Sequence, residues 1–356
     1  MGIRPAVEPP VARPARRTMS YQPNVTAGLN LAHAAAPVLP IDLRDLRLVI
    51  LSDLHRGAGD DADDFRTCQG AFAAALEHYR RQDYILAILG DAEELWECRP
   101  EEVVAQYRTS LLLEKAFHDQ GRYWRFLGNH DEAWQSPELA RQHLEPILGR
   151  VMPLEALRLQ IAEGDQVLGE IFLVHGHQGT LWADRLAWFS HLALRHVWRP
   201  VQRLGNLKTT TPATDWRLGR KHERAMYNWA VEKPGLVVIA GHTHHPAFPS
   251  PARSELLSAT YDDLRHQPEA FEPEVLEQFA ADLAFARAQA QPCYINAGCC
   301  SFSDGSLTGI EIDSGAVRLV LWRVAGRRPR REVLASARLK DLLREVAPAG
   351  TPAGAA

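Results

Sequence analysis

Cysteine is scarce in this chain. Five occur in 356 residues: Cys68, Cys98, Cys293, Cys299 and Cys300. None forms a CxxC pair, so nothing suggests a zinc ribbon. An odd number without a regular framework fits free thiols in a reducing cytoplasm. A run of about 18 apolar residues is missing, and with it the signature of a membrane-spanning helix. The N-terminus lacks the apolar core of a secretory signal. It carries Arg4, Arg13, Arg16 and Arg17 broken by prolines, and the weakly apolar stretch that follows is interrupted by Asn30, His33 and Pro37. Bulk positive charge is also missing. Forty Lys and Arg meet 44 Asp and Glu for a formal net charge of −4, which argues against a generally basic nucleic-acid binder. No internal repeat is evident. These absences predict a cytoplasmic protein, with contact at the periphery of the inner membrane left open.

What is present is ordinary globular composition, 46% hydrophobic and 24% charged. Residues 1–43 hold seven of the 23 prolines and little periodicity, which predicts a disordered or loosely docked tail. The terminal APAGTPAGAA predicts a second flexible end, after a C-terminal helix in 331–346. One domain is expected over 44–330, with an insertion at 181–230. Short apolar runs within it end in polar residues: LRLVILSD, YILAILGD (84–91), WRFLGNHD (124–131), EIFLVHGH (170–177) and LVVIAGHTH (236–244). Such runs predict buried strands, with helical patterns near 63–82, 101–120 and 136–148 between them. Late strands are expected at 293–299, 306–313 and 316–324, the last two joined by a hairpin turn at Asp313-Ser314-Gly315. In an α/β sheet ligands bind at the C-terminal ends of the strands. Each run therefore offers its last residues to one shared site.

Those residues are Asp53 and His55, Asp91, Asn129 and His130, His175 and His177, and His242 and His244. Imidazole with carboxylate suits Mn, Fe or Zn. Residues two apart on an extended segment project to one side, so Asp53-x-His55 and His242-x-His244 each present two ligands together. Gly90, Gly128, Gly176 and Gly241 allow sharp turns and close approach of a metal or phosphate.

D-x-H, GD, GNHD, HGH and GHTH, in this order, resemble the signature of the calcineurin-like metallophosphoesterases. The likeness covers roughly residues 47–325. It implies a four-layer α/β/β/α sandwich with a helical cap insertion. It implies two divalent cations, Mn, Fe or Zn, with Mn expected first. By motif, Asp53, His55, Asp91 and His244 would hold one, and Asp91 would bridge to a second held by Asn129, His175 and His242. His130 matches the residue that protonates the leaving group or steadies the scissile phosphate. Two cations about 3.5–4 Å apart bind phosphate oxygens and lower the pKa of a bridging water, which attacks phosphorus.

Other residues have plainer alternatives. Arg56 beside His55 fits a substrate phosphate, and fits an ordinary salt bridge equally well. His177 is as readily a supporting residue as a ligand and is left out of the metal set. His245 reads as a loop residue, and Cys299 and Cys300 as packed beside the sheet. The GD motif continues Ala92-Glu93-Glu94, unlike the GDxVDRG of protein Ser/Thr phosphatases.

The insertion resembles in placement the helical cap of bacterial UDP-2,3-diacylglucosamine hydrolases, which usually carry Arg where this chain has His130. INAGCCSFSDGSLTGIEI resembles the closing strands of bacterial phosphoesterases near that group. Residues 181–230 hold five of nine tryptophans and nine Lys or Arg against three Asp or Glu. This reads as a basic amphipathic cap that packs on the sheet, recognises an anionic substrate, or touches anionic lipid. The expected substrate is a small-molecule, nucleotide-linked or lipid-linked phosphate, with no stable nucleic-acid partner. A phosphodiesterase or nuclease acting on nucleic acid or a cyclic nucleotide is the enzymatic alternative. A non-catalytic scaffold of the same fold is the other.

Overall fold

Successive side chains of a strand point to opposite faces. In β2 (Leu48–Leu51), Leu48 and Ile50 join one hydrophobic cluster, and Val49 and Leu51 join another. The strand is buried on both faces, which is why its sequence is a continuous apolar run rather than an alternation. The computed structural model describes residues 21–179, 216–249, 273–289, 291–326 and 328–348, with five further positions between 255 and 262.

Two sheets are built this way. The first runs β11 (Arg328–Arg338), β10 (Ala316–Ala325), β9 (Leu307–Asp313), β2, β3 (Ile85–Leu89) and β4 (Tyr123–Phe126). The second runs β1 (Val38–Asp42), β5 (Ala156–Glu163), β6 (Gln166–Val174), β7 (Leu236–Ala240) and β8 (Tyr294–Asn296). Leu48, Ile50, Leu89, Ile310 and Leu319 of the first share a core with Leu159, Ile171, Leu173 and Ile239 of the second. Helices α2 (Gln69–Arg81), α3 (Pro100–Gln106) and α4 (Arg108–His118) cover the outer face of the first sheet through Phe72, Tyr79, Val103 and Phe117. The second sheet is covered by α1 (Tyr21–Ala35), α5 (Trp216–Val231), α6 (Pro273–Ala288) and α7 (Leu339–Glu345). The architecture is the α/β/β/α sandwich.

Strands β2, β3 and β4 are parallel, as are β6, β7 and β8. Their C-terminal ends lie at one edge of each sheet. Hydrogen bonds join the two edges: His242 N donates to Asp53 Oδ2 at 2.9 Å, and His175 Nδ1 to the Leu89 carbonyl at 2.7 Å.

Four expectations change. The N-terminal tail is ordered from Tyr21 onward. Val25, Leu29 and Ala32 make a stripe at helical spacing that buries against the second sheet, and β1 pairs with β5. The proline count of residues 1–43 had masked that stripe; residues 1–20 lie outside the described residues. Second, much of 331–346 is strand. β11 pairs with the whole of β10 across a short turn that begins with Gly326 at φ 64°, as a tight hairpin requires, and only α7 is helical. Third, 136–148 is helical over 137–148 as expected, but it is not one regular α-helix: a π-helical turn, Ala140–Leu144, separates the turn that opens at Pro137 from Glu145–Leu148. Fourth, β1 and β5 had no apolar run to announce them. The hairpin at Asp313-Ser314-Gly315 is present, with φ 52° at Ser314 and 71° at Gly315. Residues 181–215 of the expected cap lie outside the described residues; its last part is α5.

Candidate metal centre

The motif residues sit just beyond the strand ends, and their backbones are unusual. Among the described residues seven non-glycine positions have positive φ, and five of them are Asp53 (55°), His55 (49°), Asp91 (50°), His242 (70°) and His244 (60°). Each left-handed residue costs on the order of 1–3 kcal/mol and persists only where its surroundings over-determine it. The reason for the D-x-H and H-x-H spacing is therefore not a strand pleat. Turned residues past β2 and β7 aim both side chains inward. The turns are held by a backbone ladder that continues past the sheet, with Asp53 N to the Gly90 carbonyl at 3.1 Å and His55 N to the Asp91 carbonyl at 2.9 Å. A Cβ on Gly128 would lie 2.0 Å from Asp91 Oδ1, and one on Gly241 2.1 Å from Ser52 Oγ, so both positions need glycine.

Three groups of donor atoms converge, each within 4.8 Å: Asp53, His55 and His244; His55, Asp91 and His130; Asp91, His175 and His242. Asp91 lies between the other residues. His55 Nε2 is 3.0 Å from His244 Nε2, 3.9 Å from Asp53 Oδ1 and 3.8 Å from Asp91 Oδ2. His244 Nε2 is 3.2 Å from Asp53 Oδ1, and His175 Nε2 is 3.1 Å from Asp91 Oδ2. The structure thus brings together Asp53, His55, Asp91, His130, His175, His242 and His244. Asn129 is buried beside them, between Gly128 and His130.

Whether cations fit here is answered by the donors themselves. His175 Nδ1 donates to the Leu89 carbonyl at 2.7 Å, so in the neutral ring Nε2 is a lone pair facing a carboxylate. His175 Nε2, His242 Nδ1 and Asn129 Oδ1 are buried without a hydrogen bond among the described residues. Buried polar atoms are normally satisfied, and unpaired donor atoms converging on shared carboxylates call for a positive charge. The residues fit two adjoining divalent-cation sites that share Asp91.

The same carboxylates and rings also act on one another's proton affinities. Burial works to raise the Asp91 carboxyl, but the His175 and His130 rings overcome it and hold it well below the usual carboxylate range. Burial works to lower His175, yet Asp91 and Asp53 push it up to about 9. His242 has no comparable partner, and burial beside His222 and His175 holds it well below the usual histidine range.

His130 has its own support. Its Nδ1 is 2.6 Å from Glu94 Oε2, and the same carboxylate oxygen lies 3.3 Å from His55 Nδ1. Burial opposes protonation of His130, but Glu94 and Asp91 push it up to about 10. The Trp96 ring stacks on it at 3.9 Å between centroids and 24°. Its backbone N donates to Asp91 Oδ1 at 2.8 Å, which locks the GNHD loop to the GD loop.

Arg56 corrects an expectation. It is fully buried beneath the site, bonded to Glu93 at 3.2 Å and to Glu114, with its guanidinium over Phe65 and Phe72. Arg125 completes the cluster with Glu93, and Trp134 Nε1 donates to Glu93 at 2.9 Å. Asp131 accepts from Ala92 N at 2.9 Å and Gly128 N at 2.7 Å. Arg56 thus stiffens the floor under the GD and GNHD loops and does not reach a substrate. His177 is buried, with Nε2 3.7 Å from Glu155 and its ring 5.4 Å from His175, outside the three donor groups. His245 lies on the loop after His244, and Cys299 and Cys300 are buried beside the sheet.

Sequence reasoning missed Glu94, Trp96 and the residues of α5 that bond the loops. Glu94 left a signal, an acidic residue three positions after Asp91. Trp96 and α5 left none.

Residues 46–246 match the family model of calcineurin-like phosphoesterases. Among solved structures, Vacuolar Protein Sorting 29 from Cryptosporidium parvum is similar at 13% identity and a TM-score of 0.34, over 82% of this chain and 98% of that one. No curated protein matches the chain. The matched span is more than half of the chain and takes in each converging motif residue from Asp53 to His244, and the chain belongs to the calcineurin-like phosphoesterase family.

Proposed function

We propose that this chain is a metal-dependent phosphohydrolase acting on a phosphate ester or anhydride. Asp53, His55, Asp91 and His244 would hold one divalent cation, and Asp91, Asn129, His175 and His242 a second. The observation that carries the reading is Asp91, flanked on both sides by converging histidines, two of whose buried donor atoms, together with Asn129 Oδ1, have no hydrogen bond among the described residues. Bound divalent cations supply positive charge for phosphate oxygens and acidify water at neutral pH. His130 then acts on the leaving side. Glu94 fixes its Nδ1, so the ring is oriented to give a proton from Nε2 to the departing oxygen. Water forms the new P–O bond and gives up a proton to solvent, the bond to the leaving oxygen breaks, and that oxygen takes the His130 proton, which solvent then restores. The strained loops hold the ligands ready before substrate arrives, which lowers the reorganisation needed in the transition state.

The substrate we favour is a small-molecule or lipid-linked phosphate, with a nucleotide-linked pyrophosphate first. Its support is the excess of Lys and Arg and the five tryptophans of residues 181–230. We place the protein in the cytoplasm, with Mn as the first metal to try. No helix of the described residues is long and apolar enough to cross a membrane.

The test is hydrolysis of bis-p-nitrophenyl phosphate and p-nitrophenyl phosphate with Mn²⁺, beside Asp91→Ala and His130→Ala. Metal-dependent turnover is expected. Asp91→Ala should lose it together with metal uptake; His130→Ala should fall about 10²–10⁴-fold while still binding metal. A diester preference would favour the phosphodiesterase reading. Folded protein that takes up two ions yet turns over neither these esters nor nucleotide- and lipid-linked pyrophosphates would sink the enzyme reading in favour of a scaffold.

A further inference from the structure

Helix α5 lies between two of the motif loops in sequence, and one of its turns bonds both. His222 is 2% exposed and Glu223 fully buried, although they are adjacent on a helix. His222 Nε2 donates to the carbonyl of Gly176 at 2.6 Å. Gly176 is the middle residue of His175-Gly176-His177 and has φ 115°. Met226, one turn further along α5, closes over the same glycine: a Cβ there would sit 3.3 Å from its sulfur. Glu223 accepts from Thr243 Oγ1 at 2.7 Å, and Thr243 is the middle residue of His242-Thr243-His244. Asn296 at the end of β8 donates to Thr243 Oγ1 at 3.1 Å and to the Gly241 carbonyl at 2.8 Å, closing the network. Arg220, bridged to Asp282 of α6, holds the Glu223 carboxylate. The His222 ring also meets His242 edge-on at 5.2 Å.

None of these side chains belongs to the three converging donor groups. His222, Glu223 and Asn296 each bond a residue next to one of the converging histidines. The two loops carry His175 and His242, whose rings are 5.2 Å apart and face the same carboxylate, Asp91. A hydrogen-bonded partner that orients a metal ligand is worth about 10–100-fold in metal affinity. We propose that His222 and Glu223 are positioning residues that fix the separation of His175 and His242 through Gly176 and Thr243, and so make the cation site at these histidines depend on the seating of α5. The proposal rests on the metal-dependent reading above.

The experiment is calorimetric titration of chelator-treated protein with Mn²⁺, with folding followed by circular dichroism. His175→Ala identifies which of two binding events belongs to the His175–His242 site. Glu223→Ala, Thr243→Val and His222→Ala should each weaken that event about 10–100-fold and leave the other largely in place. Glu223→Gln, whose amide oxygen still accepts from Thr243, should recover most of the loss. The Glu223→Ala/Thr243→Val double variant should be little worse than either single one, because both remove the same bond. Thr243→Val is close to isosteric and keeps the test open if a buried truncation does not fold. Unchanged affinity in folded Glu223→Ala and Thr243→Val, or equal weakening of both events, would overturn the inference alone. Wild-type protein that takes up no metal would overturn the functional reading and this inference with it.

Discussion

At the scale of the residue, the site is defined by side chains held where their backbones do not relax. Five of the converging residues are left-handed, and that strain is maintained by ladder bonds and by glycines that no other residue can replace. Glu94 shows how one carboxylate serves two rings. Glu94→Ala frees both His130 and His55, and a loss of kcat of about 10²-fold is expected with metal stoichiometry unchanged. Steady-state kinetics beside metal analysis decide it, and loss of a bound ion would show instead that Glu94 acts on the metal site. The buried charges beneath are the opposite case. Arg56, Arg125, Glu93 and Glu114 are paired away from water, and removal of one strands another. Arg125→Met should cost about 3–5 kcal/mol in urea unfolding. A cost under about 1 kcal/mol would mean the cluster relaxes or admits water.

Elements bring these residues together by docking in ways their own patterns announce unevenly. Helix α1 packs so closely on the segment after HGH that a Cβ on Gly28 would lie 2.6 Å from the backbone N of Gly179. Trp229 of α5 donates to Asn30 of α1 at 3.0 Å, so the two helices are stitched together on the second sheet. Gly28→Val should therefore unseat α1, expose Val25 and Leu29, and destabilise the fold by about 2–5 kcal/mol. Limited proteolysis should then cut within residues 21–35 while the wild type is spared. Equal protection of both would show that α1 tolerates a wider spacing. The strands behaved differently. β2, β3, β7 and β8 fall within the apolar runs that predicted them, because burial on both faces leaves no polar alternative, while β4 and β6 begin ahead of theirs, at Tyr123 and Gln166. β1 is an edge strand with Val38 and Leu39 partly exposed, and its sequence carries no such imprint.

Over the whole molecule, the two sheets share one core, and the thiols lie inside it or beside it. All five cysteines are buried, and burial pushes Cys68 up to about 11 and Cys293 up to about 12. A thiolate is the reactive species, so the native protein should react with Ellman's reagent only slowly, and all five thiols should appear in denaturant. Rapid native reaction of one thiol would reveal local opening. Metal should also stabilise the whole, since a ligand bound only by the native state shifts unfolding by mass action. Chelator-treated protein is expected to melt several degrees below the Mn²⁺-loaded form, read by calorimetry.

The sequence by itself determined the order of the strands that carry the motifs and the identity of the seven converging residues. It also determined the hairpin at Ser314-Gly315. Each depends on apolar periodicity or on glycine placed within a few residues, and such signals are local. Tertiary structure alone decided that Arg56 is buried, because its partners Glu93 and Glu114 stand 37 and 58 positions away. It decided that residues 21–35 are a docked helix rather than a tail, since the surface that buries Val25 and Leu29 comes from the second sheet and from α5. It decided, too, that D-x-H and H-x-H converge through left-handed turns rather than a pleat. Local sterics disfavour that conformation, and only bonds made across the junction of two sheets hold it.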